Sequence, residues 1–279
     1  MKKIALILTI TAFATGCFAG NITVKGSDTL LVLAQKWAEI YMASNTNVKI
    51  SVSGGGTGVG FAALQSQTTD LCDASRSIKP AEKQKCLIAF GAKPTEYKVA
   101  LDGLSVYVNP ENPVKELTVG QVGDIFSGKI TNWKDVGGPD AAITVYSREN
   151  SSGTYEFFKS HVLQGSDFVA SAQTMPGTAA IVQAIIKDKY SIGYGGAAYG
   201  GGTKQLAIKA TDASPAILPT EETVMNGSYP IWRHLYIYVN PAQDKDEIGA
   251  YLKWIRSDDG QQYVKDIGYY PLPKDLRSN

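Results

Sequence analysis

The chain has 279 residues, of which 44% are hydrophobic and 19% are charged, and its formal net charge is +1. This composition is ordinary for a globular protein and does not indicate disorder. The length allows two domains, and the balanced charge argues against nucleic acid as a partner.

Residues 1–19 predict a signal peptide. Two lysines precede an uncharged apolar run, 4–14, which is too short to span a bilayer and is followed by small residues. Cleavage after Ala19 would release a soluble protein into the periplasm. The sequence Ala-Thr-Gly-Cys at 14–17 also resembles the motif that directs a lipid anchor to its cysteine, here Cys17. We expect the soluble product, and lipidation is the alternative.

The mature chain alternates extended and helical segments. It begins with a strand at 21–25 and a helix at about 29–44, and a second strand at 48–53 leads through a glycine run into the start of another helix. This repetition of strand, tight turn and helix is typical of a parallel α/β sheet, which binds ligands at the C-terminal ends of its strands.

The glycine run, 54–60, contains Thr57 and has several interpretations. Residues 58–63, which begin inside this run, satisfy the loose G-x-G-x-x-A form of a dinucleotide-binding motif, but the acidic residue that should close the next strand has no convincing candidate. A more economical interpretation is that the glycines let the backbone approach a small anion while Thr57 supplies a hydroxyl. A plain flexible turn is the remaining alternative.

Cys72 and Cys86 are the two cysteines that follow the export segment. In a compartment that permits oxidation, a disulfide between them is the simplest interpretation, and it would stabilise the fold by about 3 kcal/mol on chain-entropy grounds. Together with His161 and His234, the two thiols are too widely spaced to predict a metal site. We expect no metal and no cofactor.

Two similar runs, 105–110 and 236–241, both end in Asn-Pro. This dipeptide predicts an extended segment that stops at a turn. If both runs are strands that cross between lobes, residues 20–107 and 237–279 form one lobe and residues 108–236 form the other. Two crossings would make a hinge with a cleft between the lobes.

Residues 148–154, Arg-Glu-Asn-Ser-Ser-Gly-Thr, predict an oxyanion site at a helix start. The guanidinium of Arg148 offers a planar fork of donors, and the N–H groups of a helix N-terminus point at the same charge. Apolar residues recur at helical spacing from Tyr155 onward, so Ser151 or Ser152 is a natural N-cap. The alternative is a capped surface helix with an arginine nearby.

Taken in order, these motifs resemble the substrate-binding protein family of the bacterial phosphate ABC transporter. The resemblance covers essentially the whole mature chain, with landmarks at 26–29, 54–61, 74–79, 117–133, 148–154, 192–194 and 229–231. It implies an α/β protein of the type II periplasmic-binding-protein fold, with two lobes of parallel-rich sheets joined by a two-stranded hinge. Such a protein, expected to be a monomer, closes on one phosphate and delivers it to a membrane permease.

The resemblance also implies a set of phosphate-binding residues. They come from four loops and comprise Ser27, Asp28 and Thr29; Thr57; Ser75 and Arg76; and Arg148, Ser152, Gly153 and Thr154.

Two of these positions depart from the family pattern, because many members have a hydroxyl in place of Asp28 and an aspartate in place of Ser75. We therefore expect Asp28 to accept a hydrogen bond from a protonated phosphate oxygen, which sulfate lacks. The alternative is that Asp28 caps the following helix. Arg76 either adds a second cation to the cleft or pairs with Asp73 or Glu82.

Other functions would use some of the same residues. A binding protein for sulfate or molybdate, or a phosphate sensor, would keep the fold. A phosphatase or esterase would need a nucleophile and a base, yet Ser152 lies in no G-x-S-x-G motif and neither histidine lies in a glycine-rich loop. We expect a binding protein and no enzyme.

Overall fold

The computed structural model describes residues 20–277. The predicted signal peptide and the alternative lipid anchor at Cys17 lie outside these residues. Among the residues that are described, no helix is both long enough and apolar enough to cross a membrane.

Helices and strands alternate along most of the described chain. The α-helices are α1 Leu31–Ser44, α2 Thr57–Gln65, α3 Pro80–Phe90, α4 Val119–Phe126, α5 Gly153–His161, α6 Gly177–Lys187, α7 Glu221–Met225, α8 Asp246–Ile255 and α9 Asp258–Ile267. The strands are β1 Gly20–Gly26, β2 Val48–Ser53, β3 Leu71–Ala74, β4 Thr95–Val108, β5 Glu116–Thr118, β6 Thr144–Arg148, β7 Gln173–Met175, β8 Ser191–Gly196, β9 Lys204–Gln205, β10 Ala207–Lys209 and β11 Trp232–Val239.

One mixed sheet contains most of the strands, in the order β2-β1-β3-β11-β4-β8-β6-β7. At one end β1 pairs in parallel with β2 and β3, and at the other end β6 pairs in parallel with β7 and β8. The pairings in the middle, of β11 with β3 and β4 and of β4 with β8, are antiparallel. The predicted α/β class with parallel strands is confirmed.

Strand β4 belongs to both halves of this sheet. Its first part, 95–103, pairs with β11, and its second part, 104–108, pairs with β8. Every residue from Val99 to Val108 is buried, as expected for a strand that is covered on both faces. The two parallel ends of the sheet are therefore joined through a strand that passes from one to the other.

Two large clusters of buried apolar side chains accompany the two parts of β4. One contains Ile22, Trp37 and Leu235, and the other contains Leu104 and Phe158. The fold is thus two-lobed. We call the part that contains β1, β2 and β3 the first lobe, and the part that contains β6, β7 and β8 the second lobe. The lobe boundaries expected from the two Asn-Pro runs stay a prediction.

The expected disulfide between Cys72 and Cys86 is not formed, and both thiols are free and buried. They lie in one apolar cluster, and the Cys72 thiol is a weak donor to the carbonyl of Asp73 at 3.8 Å. Burial raises the pKa of the Cys72 thiol and raises that of Cys86 to about 11. Because the reactive thiolate is disfavoured, both cysteines pack as small apolar side chains.

Candidate functional site

The C-terminal ends of four parallel strands bring polar loops together between the two lobes. In the first lobe, Ser27, Asp28 and Thr29 follow β1, Thr57 follows β2 and Ser75 follows β3; in the second lobe, Ser152, Gly153 and Thr154 follow β6. The hydroxyl oxygens of Thr29 and Thr154 are 2.7 Å apart, and those of Thr57 and Ser75 are 3.4 Å apart. We call these eight residues and Arg148 the cleft group.

Glycines allow the two lobes to approach each other closely. Gly56 has a φ of 95°, and a Cβ atom there would lie only 2.6 Å from the carbonyl oxygen of Ser151. Next to it, Gly58 N–H donates to that carbonyl at 2.8 Å, which is a backbone hydrogen bond from the first lobe to the second. The glycine run therefore lets the backbone come close to the start of α5.

Arg148 ends β6, and its guanidinium is almost completely buried. Its Nη2 donates to Asp28 Oδ2 at 2.8 Å, and its Nη1 donates to Thr178 Oγ1 at 2.8 Å. Its buried Nε has no hydrogen-bond partner among the described residues. Burial lowers the pKa of Arg148 and the carboxylate of Asp28 opposes that shift, so the guanidinium keeps its charge.

Asp28 does not cap a helix. The N-cap of α1 is Leu30, which makes no capping bond through its side chain. The Asp28 carboxylate instead accepts from Gly55 N–H at 2.7 Å through Oδ1 and from Arg148 through Oδ2. Its backbone carbonyl accepts from the Tyr199 hydroxyl at 2.8 Å. Asp28 therefore ties the loops of the first lobe to Arg148 of the second lobe and to Tyr199.

Helix α5 points its N-terminus at hydroxyls of the first lobe. Ser152 is its N-cap, as predicted, because the Ser152 hydroxyl accepts from the N–H groups of Thr154 and Tyr155 at 3.2 and 3.3 Å. A Cβ atom on Gly153 would collide with Thr57 Oγ1 and lie 2.6 Å from Ser75 Oγ. Only glycine fits at this position. The positive end of the helix dipole thus lies beside a cluster of hydroxyls.

A second buried arginine, Arg233, was missed by the sequence analysis. It is 4% exposed and lies on β11, where the strand register places it directly opposite Asp102 of β4. Its Nε and Nη2 donate to Asp102 Oδ2 at 2.9 and 2.7 Å, its Nη1 donates to the carbonyl of Ser75 at 2.9 Å, and its Nη2 also donates to Thr154 Oγ1 at 3.0 Å. A charged residue inside an otherwise apolar and aromatic strand was the available signal.

Arg76 is not brought to the cleft group by its hydrogen bonds. Its guanidinium donates to both carboxylate oxygens of Glu82, at 2.8 and 2.7 Å, and lies over the ring of Phe61. Of the two interpretations, the structure therefore shows the pairing with Glu82. This ion pair joins the end of β3 to the first turn of α3.

Ser27, in the loop after β1, and Asp73, in β3, are buried neighbours. Ser27 N–H donates to the carbonyl of Asp73 at 2.9 Å, but neither the Ser27 hydroxyl oxygen nor Asp73 Oδ1 has a hydrogen-bond partner among the described residues. Burial raises the pKa of Asp73 to about 8, which favours the neutral form of this carboxyl group.

The cleft group has the chemistry of a site for a small oxyanion. It offers a buried guanidinium, several hydroxyls and a helix N-terminus, all of which donate hydrogen bonds to negative oxygen atoms. A cavity of about 330 Å³ lies next to it and is lined by residues that include Asp28, Gly55, Thr178 and Tyr199. Two lobes with a donor-rich anion site between them define the class of two-lobed solute-binding proteins.

Comparisons with known proteins agree with this class. Residues 11–259 match the family model of the PBP superfamily domain. The phosphate-binding protein PstS of Pseudomonas aeruginosa is 35% identical over 271 residues, which cover 91% of this chain and 84% of that protein. PstS of Staphylococcus epidermidis strain RP62A is 38% identical over 264 residues, which cover 91% of this chain and 80% of that protein. The chain belongs to the PBP superfamily and, within it, to the PstS family of phosphate-binding proteins.

Solved structures show the same fold. A structure from Clostridium perfringens that holds bound phosphate superposes with a TM-score of 0.82 at 27% identity, covering 91% of this chain and all of the other. An ABC-type phosphate transport receptor from Vibrio cholerae superposes with a TM-score of 0.72 at 25% identity, covering 90% of this chain and all of that one.

Proposed function

We propose that this protein captures inorganic phosphate between its lobes and delivers it to the membrane permease of an ABC transporter. Two observations carry the proposal: the buried guanidinium of Arg148 is held against Asp28 of the first lobe, and the first turn of α5 meets first-lobe hydroxyls, with Thr154 Oγ1 2.7 Å from Thr29 Oγ1. A guanidinium fork and a helix N-terminus together suit a tetrahedral dianion. The relatives named for phosphate binding and phosphate transport support the same ligand.

The ligands of phosphate in this proposal are the members of the cleft group. Arg148 supplies the charge. Ser152 retains a hydroxyl proton for the ligand, because its oxygen accepts two backbone N–H groups in the helix cap. The remaining donors are Ser27, Thr29, Thr57, Ser75, Gly153 and Thr154. Arg76, which is committed to Glu82, is left out.

Asp28 is the acceptor in the group. Each of its carboxylate oxygens already accepts one hydrogen bond, but a carboxylate has about four lone-pair sites in all. A protonated phosphate oxygen can therefore donate to it, and sulfate cannot. This gives the site a chemical reason to prefer phosphate.

We propose binding without turnover. Ser152 is committed to the helix cap, and the histidines of the described chain contact other groups: His161 Nδ1 lies 2.8 Å from Ser160 Oγ, and His234 packs against Trp232 and Tyr236. Burial lowers the pKa of His234 to about 4. A chromogenic phosphate ester should stay intact in the presence of the protein, and sustained hydrolysis would contradict the proposal.

The proposed location is outside the cytoplasm, where binding proteins deliver solutes to their permeases. Residues 1–19 would direct export, and mass spectrometry of the mature N-terminus would distinguish cleavage after Ala19 from a lipid on Cys17. The protein is expected to be a monomer.

Calorimetric titration tests the function itself. The mature protein is freed of bound anion by partial unfolding and dialysis and is then titrated with phosphate, sulfate and molybdate. One-to-one binding that is much tighter for phosphate supports the proposal. Saturation by sulfate or molybdate instead would change the ligand but keep the site, and no binding of any oxyanion would contradict it.

A further inference from the structure

A chain of hydrogen bonds leads from the centre of the sheet into the cleft group. Asp102 Oδ2 accepts from Arg233, Arg233 Nη2 donates to Thr154 Oγ1 at 3.0 Å, and Thr154 Oγ1 is 2.7 Å from Thr29 Oγ1. All four residues are buried. The chain joins β4, β11, the first turn of α5 and the loop after β1.

The direction of the hydrogen bonds in this chain is determined at one end. An arginine has only donors, so the Thr154 oxygen must accept from Arg233. The two hydroxyls carry two protons, and one of these lies in the bond between Thr29 and Thr154. Whichever of the two hydroxyls donates in that bond, the proton of the other hydroxyl has no acceptor among these four residues. It is therefore left to be donated to a third group.

A fixed positive charge is needed for this arrangement. The guanidinium cannot lose its proton at any physiological pH, and its planar fork reaches Asp102, Ser75 and Thr154 together. Because Asp102 is fully buried, its carboxylate holds Arg233 in place without competition from solvent. Arg233 therefore donates a hydrogen bond to the Thr154 oxygen at every physiological pH.

We propose that Arg233 is a positioning residue for the oxyanion site, which acts through Thr154 and commits the Thr29–Thr154 hydroxyl pair to donate toward the ligand. The inference rests on the proposed function, because the ligand oxygen is the acceptor that takes the remaining proton. At this position the site suits a ligand oxygen that accepts a hydrogen bond. It disfavours a ligand group that can only donate one. Asp28 is then the place where a protonated oxygen is recognised.

A double-mutant cycle on phosphate affinity tests this role. Asp102→Asn combined with Arg233→Met removes the ion pair as one change, so that no buried charge is left unpaired. It is measured in the wild-type background and in Thr154→Val. We expect the pair replacement to raise the Kd for phosphate about tenfold when Thr154 is present and by no more than about threefold in Thr154→Val, because the hydroxyl that relays the effect is then absent.

Two further variants control the cycle. Thr154→Ser keeps the hydroxyl and should restore the tenfold sensitivity. Arg256→Lys alters another buried arginine, which lies over the ring of Tyr97 and donates to the carbonyl of Leu276, and it should leave phosphate affinity unchanged. If the double replacement does not fold, Arg233→Lys takes its place, because an ammonium cannot hold the same three partners.

The outcomes separate this inference from the proposed function. If the pair replacement lowers phosphate affinity equally in the wild-type and Thr154→Val backgrounds, the inference is wrong. Arg233 would then act by direct contact or by general packing. Wild-type protein that binds no phosphate would overturn the proposed function and this inference with it.

Discussion

Two arginine–aspartate pairs with a buried guanidinium occur within residues 20–277, and they differ in how they are held. The pair of Arg233 and Asp102 is inside the sheet, with side chains 2% and 0% exposed, and two N–H groups donate to one carboxylate oxygen. The pair of Arg148 and Asp28 joins the two lobes through one hydrogen bond, and the Asp28 side chain is 16% exposed.

This difference indicates different roles. A fully buried pair is part of the scaffold, because separating its charges would leave one of them without solvent or partner. In the pair between the lobes, Arg148 Nε has no hydrogen-bond partner in the part of the chain that the structure describes, and solvent reaches the aspartate. Arg148 can therefore add an oxyanion to its partners, whereas Arg233 keeps its partners and orients the group around it.

The strongest test of the comparison is Arg233→Met alone. It leaves the carboxylate of Asp102 buried and uncompensated, so the free energy of unfolding should fall by about 3 to 5 kcal/mol. Denaturant unfolding monitored by tryptophan fluorescence measures this loss. Asp102→Asn added to the same protein should recover part of the stability, and equal stability of the single variant and the wild type would contradict the scaffold role.

Arg148→Met should lower phosphate affinity strongly and the free energy of unfolding only moderately. It removes the charge that the ligand needs, so phosphate affinity should fall at least about a hundredfold, as for the loss of more than one charge-assisted hydrogen bond. Stability should fall less than in Arg233→Met, since solvent can reach Asp28. Calorimetry and denaturant unfolding of the same samples check both expectations. Arg76→Lys is the matched control, because its partner is Glu82, and it should bind phosphate like the wild type.

How much of the site could be predicted depended on how far its parts lie apart in sequence. The cap at Ser152 and the cation at Arg148 lie within five residues, so one loop contains the whole pattern. Arg233 was not found because its partners Asp102 and Thr154 are 131 and 79 residues away. Their contact depends on the register of β11 on β4, which no local motif reports.

The errors have the same origin. Arg76 follows the Ser75 loop directly, so proximity in sequence favoured the cleft, yet Glu82 draws it to the first turn of α3. The helix cap, which was the alternative interpretation of Asp28, rests on a local rule, and it is wrong because a cation of the other lobe and the Gly55 N–H donate to the carboxylate. The early strands and helix were found because their periodicity is local.

Asp28→Asn tests whether the exposed member of the two pairs discriminates phosphate from sulfate. Asparagine keeps one carbonyl oxygen but loses the charge, so the phosphate-over-sulfate affinity ratio should narrow by about tenfold. Titration of both anions into wild type and variant measures the ratio. Thr178→Val is the control: it removes the other side-chain partner of Arg148 and should weaken both anions alike. A ratio that stays at the wild-type value in Asp28→Asn would assign the discrimination elsewhere.

A third aspartate, Asp73, is buried but pairs with no arginine between residues 20 and 277, which extends the comparison to an acid without a cation. Burial raises its pKa to about 8, above the ordinary value near 4 that it regains on unfolding. The folded state then holds a proton that the unfolded state releases, so stability should fall as the pH rises from about 4 to 8, by at most about 1.4 kcal/mol per pH unit.

Asp73→Asn should flatten this decline, whereas the exposed control Asp135→Asn should keep it, as urea unfolding across this range would show. An unchanged slope in Asp73→Asn would mean that Asp73 is already ionised in the folded protein. It would then need a cationic or hydrogen-bonded partner, as Asp28 and Asp102 have.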